Sequence, residues 1–137
     1  MSWRTANSLV RLREQINAMA PDRSRASDGT IGDSAHASRD SDHNPWVRLG
    51  KIGIVTAMDI THDPADGCDA EAIVNKLIES RDARIKYIIW RRRIISSIVQ
   101  PWVWRGYTKK NPHERHFHLS VHPDQVRFDS VEDWKIR

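Results

Sequence analysis

Apolar residues first recur at helical spacing at Leu9, Leu12, Ile16 and Met19, which predicts an amphipathic helix whose apolar face covers a sheet. Asn7 or Ser8 can cap its start, and Pro21 follows its end. From Pro21 to about Arg48 the periodicity dissolves into Ser, Asp, Gly and Arg, predicting a long irregular segment. Stretches of that length inside a small domain are usually functional or disordered.

A two-residue period begins at Gly53 and runs to Ile60, where "GIVTAMDI" predicts one strand. Val55, Ala57 and Asp59 share one face; Ile54, Thr56, Met58 and Ile60 share the other. After the turn-like "THDPADG", Asp69 is placed as the cap of a helix running to about Ser80, with Ile73, Leu77, Val74 and Ile78 facing inward. "RIKYIIW" and "RRIISSIV" predict paired strands joined by an arginine-rich turn, "HFHLSV" a further strand, and "SVEDWKI" a short terminal helix or turn. The sum is one domain over residues 1–137: an α+β fold with a central, mainly antiparallel sheet, flanking helices and a long irregular loop in its N-terminal half.

At 137 residues the chain can bury a core without disulfide support. Its single cysteine, Cys68, is expected to be a buried free thiol. A net charge of +4 and a pI near 9.6 favour an anionic partner, with nucleic acid, cell wall and membrane surface all compatible. Arg11, Arg13 and Glu14 interrupt the N-terminal apolar positions, so neither a Sec-type signal nor a membrane span is expected there, and no export route.

Of seven histidines, His113, His116, His118 and His122 fall within ten residues. On a strand, His116 and His118 face the same side about 7 Å apart, while Phe117 points into the opposite layer. Paired imidazoles have no packing advantage over apolar side chains and repel when both are protonated, so a shared metal or a catalytic task explains them. His113, after Pro112, lies in a loop able to fold back over the same face. Asp59 stands mid-strand among apolar residues, where a carboxylate is costly to bury unless paired or bound to a cation. In "SDHNP", His43 lies in the polar loop with a turn beside it. Two histidines and one aspartate, with water in a fourth position, make a sound catalytic zinc set; the absence of thiolate argues against a structural site.

"SDH", "TAMDI" and "HERHFH" resemble, in order, the Ser-x-His, Ala-x-Asp-Ile and terminal His-x-His elements of the zinc peptidases that share the hedgehog and D-alanyl-D-alanine peptidase fold. The last element is most similar to the His-x-x-His-x-His of penicillin-insensitive murein endopeptidases. The likeness spans about His36 to Val121, in the manner of a compact phage endolysin. By that resemblance His43, Asp59 and His118 would bind Zn2+, His116 would act as base or oxyanion stabiliser, and His113 would assist. Two features depart from the family: Asp59 follows His43 at an interval of sixteen, so an insertion such as "WVRLGKIG" must be looped out, and Arg115 stands where carboxypeptidase-like members carry a Glu. Glu114 is the neighbouring substitute, although the His-rich form of the site fits better.

His36, in "SAH", also satisfies Ser-x-His and is placed with Ser41 as an outer-shell or substrate-facing residue; Trp104 is the candidate wall of a substrate groove, with Trp102 and Tyr107 near it. His62 either orients Asp59 or faces solvent, with solvent favoured, and His122 is expected to be exposed. The basic and aromatic stretch 84–110 could bind single-stranded nucleic acid, but a hairpin with packed tryptophans and solvated arginines fits it better. The expectation is a monomeric, zinc-dependent peptidoglycan peptidase acting on stem peptides, with no specific nucleic-acid partner, held in the host cytoplasm until a holin-type route opens. The competing classes are a zinc-stabilised wall- or protein-binding module and a basic nucleic-acid-binding protein or metal nuclease.

Overall fold

In the computed structural model, which describes residues 2–30, 41–109 and 113–137, the chain builds two open sheets and three α-helices. β1 (Trp3–Thr5) leads into α1 (Asn7–Met19), which buries Leu9, Leu12 and Ile16. Neither Asn7 nor Ser8 caps that helix; Ala6 holds the cap position, and the Asn7 amide donates instead to the Asp129 carboxylate at 3.0 Å. Asp129 is itself clamped by Arg4, so the missing local cap comes from the far end of the chain.

Two departures reshape the middle of the chain. The irregular segment gives way to β2 (Val47–Leu49), which turns at Gly50 into β3 (Ile52–Val55), so "WVRLGKIG" is largely a hairpin rather than a loop. Gly53 is required there, because a Cβ would stand 2.6 Å from the Pro45 carbonyl oxygen. The strand expected over 53–60 is then cut at Thr56 and resumes as β4 (Ala57–Thr61) in a different sheet. Thr56 serves both sides of the junction, its amide donating to Asp42 and its carbonyl accepting from Val121.

After a single turn at Pro64–Asp66, α2 (Ala70–Ser80) starts as expected at Asp69, whose carboxylate accepts from the Glu71 and Ala72 amides. β5 (Ile85–Trp90) and β6 (Arg93–Ser96) pair through Arg91 and Arg92, both at positive φ in a tight turn that suits the twist of a hairpin. β7 (Arg105–Gly106), β8 (His116–Val121) and α3 (Gln125–Phe128) complete the chain. The first sheet runs β1-β3-β2, with β1 parallel to β3; the second runs β4-β8-β5-β6-β7 and is antiparallel throughout. "SVEDWKI" is not helical: Trp134 and Ile136 are buried and Lys135 exposed, a period of two that lays the tail flat on α1, where the Trp134 indole donates to the Ser8 carbonyl.

One face of the five-stranded sheet supplies Met58, Ile60, Ile88, Trp90, Phe117 and Leu119 to a core shared with α1 and α2. The other carries Asp59, His116, His118 and Ser120. Cys68 is a buried free thiol of the core, as expected, donating to the Thr61 carbonyl. Among the described residues no helix is long and apolar enough to cross a membrane.

Candidate metal centre

β8 is the centre strand, and its register against β4 sets Asp59 opposite His118, Thr61 opposite His116 and Ala57 opposite Ser120. Alternation does the rest: the odd residues Phe117 and Leu119 go to the core, and both histidines emerge on the other side.

His43 arrives from outside the sheet. The Ser41 hydroxyl accepts from the His43 amide and the Ser41 carbonyl from the Asn44 amide, a turn that gives the Ser-x-His spacing its purpose. Asp42 anchors the turn, accepting from Lys86 Nζ at 3.0 Å while its carbonyl holds Thr56. The sixteen-residue interval thus closes at its base, with the hairpin taken up in the first sheet beside β1.

Three ligand atoms meet as a result. His118 Nδ1 lies 3.1 Å from Asp59 Oδ1 and 3.1 Å from His43 Nε2, and His43 Nε2 lies 3.3 Å from the same Asp59 oxygen. The Thr30 carbonyl, 2.9 Å from His43 Nδ1, can only accept, so Nδ1 carries a proton and the ring turns its Nε2 inward. Ser120 Oγ holds His118 Nε2 at 2.8 Å, and Tyr87 stacks on the His118 ring with an interplanar angle of 8°. Lone pairs and a carboxylate at such separations demand a positive charge between them, either a proton or a metal ion. The loop carrying Thr30 is held by Gly29, which pairs with Asp59 through both backbone hydrogen bonds.

Asp59 uses its second oxygen in another direction. Oδ2 lies 3.5 Å from His116 Nε2, and the His113 ring stands edge-on to His116 with centroids 4.8 Å apart. Among the described residues, His43, Asp59 and His118, and also Asp59, His113 and His116, form groups that could hold a metal ion.

Charge follows the same geometry. Burial opposes ionisation of Asp59, but hydrogen bonds from His118 and His43 overcome it and hold the carboxyl far below the usual range. Burial likewise opposes a charge on His43, and the hydrogen bond to Asp59 reverses this, raising its pKa. His116 goes the other way: burial dominates, the neighbouring imidazoles add to it, and its pKa falls despite Asp59. Burial, aided by Asp42, pushes the Tyr87 hydroxyl up.

Other expected residues lie elsewhere. Trp104 sits under the Arg93 guanidinium and packs against the core; it is Tyr107 that stands edge-on to His113. Glu114 is turned outward to Arg92. His62 is half-buried, its Nδ1 accepting from the first amide of α2 and its ring packing on Trp90. His122 is buried rather than exposed, its Nε2 meeting Ser97 Oγ. The tryptophans of the basic stretch do pack: Trp90 is buried, donating to Glu71, and Trp102 lies under Arg81. His36 lies outside the described residues. Thr30, Tyr87 and Ser120 carry no motif that marks them; only the alternation along "HFHLS" hinted that Ser120 shares a face with His118.

No protein-family model, curated protein or solved structure matches this chain, so the geometry of the site carries the functional reading.

Proposed function

We propose that the chain is a zinc-dependent peptidoglycan peptidase of the hedgehog/D-alanyl-D-alanine peptidase fold, an endolysin that hydrolyses an amide bond in the murein stem peptide or its cross-link. The observation that carries this reading is the triangle of His43 Nε2, Asp59 Oδ1 and His118 Nδ1, with edges of 3.1, 3.1 and 3.3 Å. A tetrahedral zinc site with bonds of ~2.05 Å has ligand–ligand edges of about 3.3 Å. Two nitrogens and one oxygen, with no thiolate, match the donor set of catalytic rather than structural zinc.

Zinc held there would supply Lewis acidity, polarising a scissile carbonyl and making water acidic enough to attack near neutral pH. Asp59 limits the charge of the site and, through Oδ2, faces His116. His116, kept neutral by burial, is the proton acceptor, and later returns the proton to the leaving amine. Thr30 and Ser120 orient the two ligand rings from behind. A cavity of about 210 Å³ lined by Arg13, Asp28, Gly29, Thr30, Met58 and Asp59 gives room beside the carboxylate, and Arg13 suits a substrate carboxylate such as stem peptides carry. The basic balance of the chain suits an anionic wall, and a monomer reaching it through a holin-type route belongs to the same proposal.

The test is incubation of the purified chain with isolated murein sacculi, with and without chelator, followed by mass analysis of released muropeptides. New amino termini that disappear with chelator are expected. Intact stem peptides in both samples would overturn the reading.

A further inference from the structure

We infer that Asp59 Oδ2, His113 and His116 form a second, weaker divalent-cation site that shares Asp59 with the first, and that filling it switches hydrolysis off. One ligand atom from each of these three residues lies within 4.8 Å of the others. Neither ring nitrogen of His116 has a hydrogen-bond partner among the described residues, although its side chain is only 13% exposed and Nε2 lies 3.5 Å from Asp59 Oδ2. Polar atoms buried in that state are costly, and a cation accepting a lone pair relieves the cost.

His113 adds an independent observation. Its φ is 54°, a left-handed conformation uncommon outside glycine, and it is buried to 6% exposure. That conformation is held by the His113 carbonyl, which accepts from Arg91 at 2.9 Å, and by the Tyr107 ring. Its effect is to bring the imidazole edge-on to His116. Two imidazoles and a carboxylate oxygen select borderline ions such as zinc over calcium or magnesium.

The site ranks second for two reasons. Thr30 and Ser120 fix the rings of the first group, whereas His116 has no such support. One carboxylate must also serve two cations that repel each other. The inhibitory consequence rests on the peptidase reading: an imidazole whose lone pair is given to a cation cannot accept a proton. The stoichiometry does not rest on it.

The metal-free full chain is titrated with zinc chloride by calorimetry, and metal content is measured after dialysis. Two equivalents are expected, the second bound at least about tenfold more weakly. His116→Ala, and separately His113→Ala, should bind one equivalent with the first affinity retained. Sacculus hydrolysis by the wild type should rise through the first equivalent and fall through the second. A single equivalent in the wild type, lost in His43→Ala, overturns the second site and leaves the peptidase reading intact. Two equivalents that persist in both alanine variants also overturn it, and activity that stays level through the second equivalent overturns the inhibition. Binding of no zinc would defeat both.

Discussion

Asp28 shows how the scaffold behind the site can be tested. Its carboxylate accepts from Arg23 at 3.0 and 2.7 Å, from the Thr61 amide at 2.8 Å and from the Thr61 hydroxyl at 2.7 Å. Asp28→Asn keeps the shape but turns an amide NH2 toward the Arg23 guanidinium, whose side chain is 0% exposed. Breaking a buried ion pair by removing one charge costs about 3–5 kcal/mol. Arg23 keeps the Asn17 and Ser24 oxygens, and Asp28 is 18% exposed, which reduces the expected loss to about 2–3 kcal/mol. At ~2–4 °C per kcal/mol for a chain of this size, Tm should fall by roughly 4–12 °C.

The same change loosens the neighbouring Thr30 carbonyl that orients His43, so zinc affinity should fall about tenfold, the low end for a partner behind a ligand. Burial opposes the charge of Asp28, but the bonds from Arg23 and Thr61 overcome it, so its folded pKa lies below the unfolded value of about 3.9. Its stabilisation is therefore complete above about pH 5 and is lost as pH falls through the folded pKa, so the gap between wild type and variant should close in acid. Thermal unfolding of the metal-free proteins by near-ultraviolet circular dichroism, with chelator competition for affinity, reads both effects. A Tm within about 2 °C of wild type at pH 7 would refute the reasoning.

His43→Ala and His118→Ala should lose bound zinc together, whereas His116→Ala should keep the first equivalent and lose about 10²–10⁴-fold in rate, measured by metal analysis beside muropeptide release. Ser120→Ala removes the partner of His118 Nε2 and should weaken zinc about 10–100-fold in a chelator competition while leaving Tm of the metal-free chain within about 3 °C. Gly53→Ala forces a Cβ against the Pro45 backbone, and urea unfolding should show a loss of about 1–3 kcal/mol; an unchanged midpoint would mean that the hairpin yields freely.

Much of the local structure was legible because its causes are local. The helical repeat at Leu9, Leu12 and Ile16, the Asp69 cap and the alternation of "HFHLSV" each depend on residues within a turn or two. The misreadings share a different cause. α1 is capped by Asp129 from the opposite end of the chain, Thr56 ends a strand because Asp42 and Val121 take its backbone groups, and Trp134 is drawn flat onto Ser8. His122 is buried for the same reason, since Ser97, the group that meets it, is invisible to local spacing.

What the sequence by itself determined is the chemistry on offer: which imidazoles and which carboxylate exist, and that His116 and His118 must share a face, because the period of a strand is a property of its own backbone. Tertiary structure alone decided that Asp59 faces His118, that His43 closes the triangle, and that Asp59 turns one oxygen to His43 and His118 and the other to His116. Strand register and loop closure are set by contacts between residues far apart in the chain, whose energies appear only when the whole core packs.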